Sequence, residues 1–449
     1  MSTIVAISTP RGRGALGIVR LSGADALRIT KQIAGKAFEI EARRPTLHTL
    51  KDSQTSEIID QALITYFEAP HSLTGEDVVE LSCHGSPIVL RRIIDMALCF
   101  GAQLAGPGEF TLRALSSGKM NLAQAEAIRD LISSQTEAAA RQAARQLNGE
   151  LAAALEPLKN RLVEVIVLLE SAVEFVEDDL PEPQIKAVEE SLSFIADGVE
   201  TLARSYNTGH LLQDGIKITI VGSPNVGKSS IFNRLLERER AIVSDVPGTT
   251  RDTLCEPVDI EGVPVLLSDT AGLRETVDGI ESLGIQRTHR AMSDADLVIV
   301  VMDGSIPTGP EDLKVLASTV IARRILVVNK CDLPGYQANR NEFLRLDAIH
   351  VSALTGEGLD NLATAILETF DVTMMESGNL LVTNARHHDL LRRAHCELKA
   401  GEVLLSDGES EELVLQPLHN ALRFLGEITG ETTTEEILSQ IFATFCIGK

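Results

Sequence analysis

The sequence predicts a multidomain chain of α/β and α character: an N-terminal α+β domain, a discontinuous helical domain, and an inserted α/β domain with a mostly parallel sheet. Three observations predict it. Residues 1–118 carry short β-type runs broken by Gly and Pro. Residues 119–210 and 376–449 are rich in Ala, Leu, Glu, Gln and Arg at helical spacing. Residues 211–375 alternate strand-like and helix-like segments. Two helical blocks flanking an α/β unit are the pattern expected when one domain is inserted into another.

In the first part, Ile4–Ser8, Gly17–Leu21, Leu63–Tyr66 and Val78–Ser82 read as strands. Ile88–Leu98 reads as a helix, with Pro87 where a first turn tolerates it. Gly12-Arg13-Gly14-Ala15-Leu16-Gly17 matches a dinucleotide-binding pattern literally. Such a turn must open a helix, and Ile18-Val19-Arg20-Leu21 reads as a strand, so that function is excluded.

The helical block reads as Ala123–Asp130, Glu137–Leu147 and Leu162–Ala172, with turns at Asn148-Gly149 and Asp178–Pro183. Further on, His387 and His388 are adjacent on a helical stretch and so point to different faces, which favours surface solvation over metal ligation. In the α/β part, strands are expected at Ile216–Val221, Leu254–Ile260, Val263–Ser268, Leu297–Met302, Ile325–Val328 and Ile349–Val351.

Composition limits the function classes. The chain has 449 residues, no Trp and a formal net charge of −23. An acidic surface repels phosphate backbones, so nucleic-acid binding needs a local basic patch or a basic partner. Six cysteines include no C-x-x-C pair, no signal-peptide pattern opens the chain, and no run reaches the ~20 apolar residues that span a bilayer. A cytoplasmic, reduced location is expected.

The strongest motif is Gly222-Ser223-Pro224-Asn225-Val226-Gly227-Lys228-Ser229, between an expected strand and the helix Ser230–Glu237. The glycines let backbone N–H groups wrap a β-phosphate, Lys228 bridges β- and γ-oxygens, and Ser229 ligates Mg²⁺. Asp269-Thr270-Ala271-Gly272 follows the third strand, where an acidic group reaches Mg²⁺ through water and the Gly N–H senses the γ-phosphate. Asn329-Lys330-Cys331-Asp332 follows the fifth strand, and the Asp332 carboxylate can accept from both the ring N–H and the exocyclic amine of guanine. Ser352-Ala353-Leu354 supplies the loop behind the base. Four motifs in this order predict a Ras-like P-loop domain that binds GTP rather than ATP. In Ser244-Asp245-Val246-Pro247-Gly248-Thr249-Thr250, Thr250 is the expected switch residue on Mg²⁺. Leu273 stands where Ras-type enzymes place a water-orienting Gln, leaving Arg274, Glu275, Asp278 and Glu281 as unranked candidates.

The motif Leu122-Ala123-Gln124-Ala125-Glu126-Ala127, the interrupted helical region and the terminal Cys446-Ile447-Gly448-Lys449 closely resemble the MnmE (TrmE) family of bacterial tRNA-modification GTPases along the whole chain. The resemblance implies a homodimer that works with the FAD-dependent partner MnmG in a heterotetramer or larger complex, with FAD only in the partner. Together they place an aminomethyl or carboxymethylaminomethyl group at carbon 5 of a tRNA wobble uridine, and tRNA is held mainly by the partner. It implies a folate-binding-like N-terminal domain that dimerises, with Arg20, Glu80, Lys119 and Lys449 on 5-formyltetrahydrofolate and Cys446 in the modification chemistry. It also implies a K⁺ site at Asn225, Ser244, Val246 and Thr249, with Glu281 as the water-orienting group. A GTPase switch for ribosomal or other assembly, without one-carbon chemistry, would carry the same nucleotide motifs.

Overall fold

The computed structural model describes residues 2–35, 40–52, 55–174, 181–238, 255–269, 292, 294–336, 347–370, 380–431 and 435–448. They form two compact units: Met1–Arg129 with Leu147–Ala152 and Gly426–Lys449, and Asp130–Gln146 with Ala153–Leu425.

The first unit is built on β1 (Ile4–Ile7), β2 (Gly14–Ser22), β3 (Thr46–Lys51), β4 (Ile58–Phe67), β5 (Val78–Gly85) and β6 (Gln103–Leu104). They pair in the order β3-β4-β5-β2-β1-β6, antiparallel except for β1 beside β6. Helices α1 (Ala26–Ala34) and α2 (Pro87–Cys99) bury Ile29, Ile33, Leu90 and Ile93 against Val5, Val19, Leu21, Ile64 and Leu81. The strand expected over Ile18–Leu21 is part of β2. A Cβ at Gly17 would lie 2.5 Å from Leu90 Cδ1, so that glycine serves the close approach of α2 to the sheet and not a phosphate. The reading missed β3, β6, α1 and α3 (Glu109–Ser116). Helix α1 did carry a signal: Ala26, Ile29, Thr30 and Ile33 are buried at helical spacing.

After α3 come α4 (Leu122–Ser133) and, from the far end of the chain, α13 (Glu435–Ala443). Leu122, Ala125, Phe442 and Phe445 form one buried cluster that fastens the chain's end to this unit. Gly108, at φ 63, is required where α3 begins, because a Cβ there would lie 2.8 Å from Phe442.

In the second unit the strands are β7 (Ile216–Gly222), β8 (Cys255–Ile260), β9 (Val263–Asp269), β10 (Leu297–Asp303), β11 (Arg324–Asn329) and β12 (Ile349–His350), in the order β12-β11-β10-β7-β9-β8. Only β8 runs antiparallel to its neighbour. All of β10 is buried, as a strand covered on both faces must be. Leu297, Ile299 and Val301 pack with α8 (Lys228–Arg238) and α10 (Leu359–Glu368), while Val298 and Val300 face α9 (Pro310–Ser318). Three layers result, with the mostly parallel sheet that was expected.

The helical part of this unit comprises most of α5 (Glu137–Leu147), α6 (Glu150–Glu174) and α12 (Glu411–Thr429), with α7 (Glu182–Asp214) and α11 (Ala385–Ser406). Glu182 and Pro183 open α7, so the turn expected over Asp178–Pro183 reaches too far; Pro belongs in a first helical turn. Gln146 Nε2 donates to Leu381 O at 3.2 Å and Thr383 Oγ1 at 3.0 Å, and Val382 N donates to Ser205 Oγ at 3.0 Å. These bonds tie the helical segments on the two sides of the α/β insertion to each other. His387 is fully buried and His388 stacks on Tyr206 at 4.3 Å, which corrects the expectation that this pair is surface-solvated. A helix packed on one face necessarily buries one of two adjacent side chains.

Candidate functional site

The nucleotide loops gather at one end of the second sheet, at the carboxyl ends of β7, β9, β11 and β12, where open α/β sheets bind ligands. The P-loop joins β7 to α8, with Asn225 at φ 63 and Gly227 at φ 97. A Cβ on Gly227 would overlap the amide of Asn329, so glycine is needed there.

Asn329 is the keystone of the loops. Its Nδ2 donates to Val226 O at 2.9 Å and its Oδ1 accepts from Ala353 N at 3.0 Å, with the residue 2% exposed. One amide thereby ties the P-loop, its own loop and the Ser352-Ala353 loop together. Ser352 is buried, and its hydroxyl donates to Asp332 Oδ1 at 2.7 Å, which aims the exposed carboxylate. Lys228 Nζ donates to Ser223 O at 2.8 Å, and Ser223 Oγ donates to Asp312 at the start of α9. Ser229 and Ser230 lie exposed in the first turn of α8. Leu354 is exposed, and its carbonyl accepts from Arg234 of α8 at 2.9 Å. Asp269 ends β9 opposite Ile220 of β7. Ser244–Thr250, Thr270–Gly272 and Glu281 lie outside the described residues.

Sequence reasoning missed Asp303, at the end of β10. It pairs with Lys330 Nζ, which also donates to Asn225 O at 3.0 Å, so Asp303 steadies the P-loop through a lysine. Burial alone would raise its carboxyl pKa. Hydrogen bonds from Lys330 and Ser305 outweigh that and hold it below the ordinary 3.8. A depressed carboxylate pKa contributes stability above the unfolded value and loses it as pH falls through the folded value. Asp303→Asn is therefore expected to lower the melting temperature by about 2–4 °C at neutral pH. The gap to the parent should close well below pH 3.8, as thermal unfolding at the two pH values will read.

A second cluster lies on the first unit. Arg20 on β2 and Glu80 on β5 are cross-strand partners, joined at 2.8 Å, and the Arg20 guanidinium stands 5.7 Å over the buried Phe110 ring. The C-terminal tail comes to them. Gly448 O accepts from Ser8 Oγ at 3.0 Å and from Arg20 at 3.4 Å, Ile447 bridges to Pro107, and Cys446 O accepts from Gly108 N at 3.3 Å. Cys446 itself is exposed. Lys119 is exposed on the loop after α3, beside Gly75, and Lys449 lies outside the described residues.

A P-loop followed by a strand-end Asp, an Asn-Lys-x-Asp loop and a Ser-Ala loop, on this strand order, defines a guanine-nucleotide-binding P-loop domain. Two family models match the chain: "MnmE helical domain" over residues 122–446 and "GTP-binding protein TrmE N-terminus" over residues 3–119. The tRNA modification GTPase MnmE of Koribacter versatilis (strain Ellin345) is 44% identical over 455 residues, covering 100% of this chain and 99% of that protein. That of Aquifex aeolicus (strain VF5) is 43% identical over 447 residues, covering 99% of each. Among solved structures, the G domain of the T. maritima FeoB iron transporter aligns with 34% of this chain and 98% of that one, at 28% identity and a TM-score of 0.27. The chain belongs to the MnmE (TrmE) family of tRNA modification GTPases.

Proposed function

We propose that this chain is the cytoplasmic GTP-hydrolysing subunit of a complex that installs an aminomethyl or carboxymethylaminomethyl group at carbon 5 of the tRNA wobble uridine, with a folate as one-carbon source. The observation that carries the reading is the meeting of the C-terminal tail with the Arg20–Glu80 pair, which sets the exposed thiol of Cys446 two residues from the carbonyl that Ser8 and Arg20 hold. A nucleotide switch with no chemistry of its own has no use for such a tail.

The residues present suit a folate. Its pteridine ring offers N–H donors that the Glu80 carboxylate can accept, and its glutamate carboxylates call for the cations of Arg20, Lys119 and Lys449. The folate, when bound, supplies the one-carbon unit; Arg20 and Glu80 bind and orient it, and Gly448 keeps the tail beside them. The reading divides the chain into a folate-binding, dimerising domain 1–118, a helical domain 119–210 with 376–449, and a GTPase domain 211–375. The FAD-dependent MnmG-type partner provides most of the tRNA surface, in keeping with a net charge of −23.

At the nucleotide site, Asp332 accepts from the guanine edge and Lys228 exchanges the Ser223 carbonyl for β- and γ-phosphate oxygens. Ser229, Thr250 and Asp269 would hold Mg²⁺, Asp269 through water, and Asn225, Ser244, Val246 and Thr249 would hold K⁺. These cations, when bound, neutralise charge that develops on the transferring phosphoryl group. Glu281 orients the attacking water, since Leu273 carries no polar group. Replacing K⁺ with Na⁺ is expected to slow GTP turnover at least tenfold, the order of a lost charge-stabilising contact. Phosphate-release rates that do not change would remove the cation from the scheme.

The experiment combines the chain with its FAD partner, a folate donor, GTP and unmodified tRNA. Cys446→Ser is expected to abolish uridine modification and leave GTP hydrolysis intact. Full modification by the variant would remove the thiol from the chemistry.

A further inference from the structure

We propose that the groove between α7 and α11 is a phosphate-binding subsite, and that it takes a backbone phosphate of the tRNA substrate. The inference rests on the tRNA-modification reading above and adds a contact made by this chain itself.

The groove is a cavity of about 230 Å³ lined by Glu200, Ala203, Arg204 and Asn207 of α7 and by His388, Arg392, His395 and Cys396 of α11. The spacing explains the lining. Residues 200, 203, 204 and 207 fall on one face of a helix, as do 388, 392, 395 and 396, and the two faces meet. Two guanidinium groups, two imidazoles and a carboxamide thus converge, opposed by one carboxylate. Glu200 takes a 2.6 Å ion pair with Arg204, and a guanidinium with five N–H donors has others to offer. The Arg204 side chain is 74% exposed, so the groove opens outward.

Its chemistry points to RNA rather than to a free anion. Both walls are helix interiors whose backbone amides are committed to the helix, so the donors are side chains, with Arg among the types that contact a nucleic-acid backbone. The chain is otherwise strongly acidic, whereas α11 sets Arg386, Arg392, Arg393 and Lys399 against Asp389, Glu397 and Glu402, and the groove itself sets Arg204 and Arg392 against Glu200. An acidic protein that touches RNA needs such a local basic surface.

His388 adds a titratable group to the groove. His388 stacks on Tyr206, which also stacks on His210, and burial, then Arg392 and His210, depress its pKa, with Asp389 acting against them. From α7 it faces Tyr206, His210 and the Arg204–Glu200 pair; from its own helix, Arg392, Asp389 and His395. A phosphate in the groove favours the imidazolium, so binding is expected to strengthen as pH falls through the range where His388 titrates.

Arg204→Ala with Arg392→Ala, in the full-length chain with its partner, is expected to raise the tRNA KM about tenfold, leave kcat and GTP hydrolysis unchanged, and flatten the salt dependence of tRNA binding by about one phosphate. Arg392→Lys should restore most of the loss, since a single phosphate accepts a point charge. An unchanged KM and salt slope in the double variant would overturn the proposal. Inorganic phosphate that shifts the His388 resonances while tRNA binding ignores both arginines would mark a free-anion site only, and overturn it equally. Fluorescence anisotropy with unmodified tRNA reads the subsite without the chemistry. A wild-type system that fails to modify tRNA would therefore count against the functional reading, and equal anisotropy titrations of parent and variant against the subsite.

Discussion

Asp332→Asn is expected to lower GTP affinity by on the order of a hundredfold or more and to transfer that affinity to xanthosine triphosphate. On the proposed reading, the carboxylate that Ser352 aims accepts two hydrogen bonds from guanine, each worth about 1.5–3 kcal/mol because the acceptor is charged. An amide can accept only one of them and turns an N–H donor toward the other. Xanthine presents a carbonyl where guanine has its amine, and so meets that donor. The fold should be unaffected, because Asp332 is exposed and the loops are tied by Asn329 instead. Equilibrium titration with labelled GDP and XDP checks both halves. Retained GTP affinity would move base recognition elsewhere.

Gly448→Ala is expected to separate the two activities. Gly448 sits at φ 97, a conformation that costs an L-residue about 1–2 kcal/mol, and its new Cβ would overlap Ile7 O on a backbone that cannot retreat. About 1.4 kcal/mol already displaces the tail tenfold, and the overlap adds to that. Wobble-uridine modification should fall at least tenfold, and GTP hydrolysis, seated in the other compact unit, should keep its rate. Mass analysis of tRNA nucleosides beside phosphate release reads the two. Equal loss of both would mean that Gly448 supports the fold at large.

The P-loop, the Asn329–Asp332 loop and the Ser352-Ala353 loop were legible because their chemistry is local: each follows an apolar run that reads as a strand, and each carries its own reactive groups. What was not legible depends on strands that are distant in sequence. Asp303 looks like any strand-end acid until β10 lies beside β11 and brings it level with Asn329, next to Lys330. Asp312 gains meaning only when α9 presents it to Ser223. Strand β6 is two residues paired to β1, too short for any periodicity. Helix α3 starts at a glycine whose need is set by Phe442 and Phe445, at the opposite end of the chain. The tail cluster was named by resemblance alone, since no spacing relates Arg20 to Gly448. His387 shows the converse, a side chain whose polarity suggested solvent and whose helix face buried it.

The central claim is that GTP hydrolysis by this chain drives the modification of tRNA. Its most direct measurement uses the Asp332→Asn variant with the FAD partner, a folate donor and unmodified tRNA, supplied with either GTP or xanthosine triphosphate. The account predicts wobble-uridine modification with xanthosine triphosphate and little with GTP. Equal modification with both nucleotides, or with neither in a variant that hydrolyses xanthosine triphosphate, would contradict it.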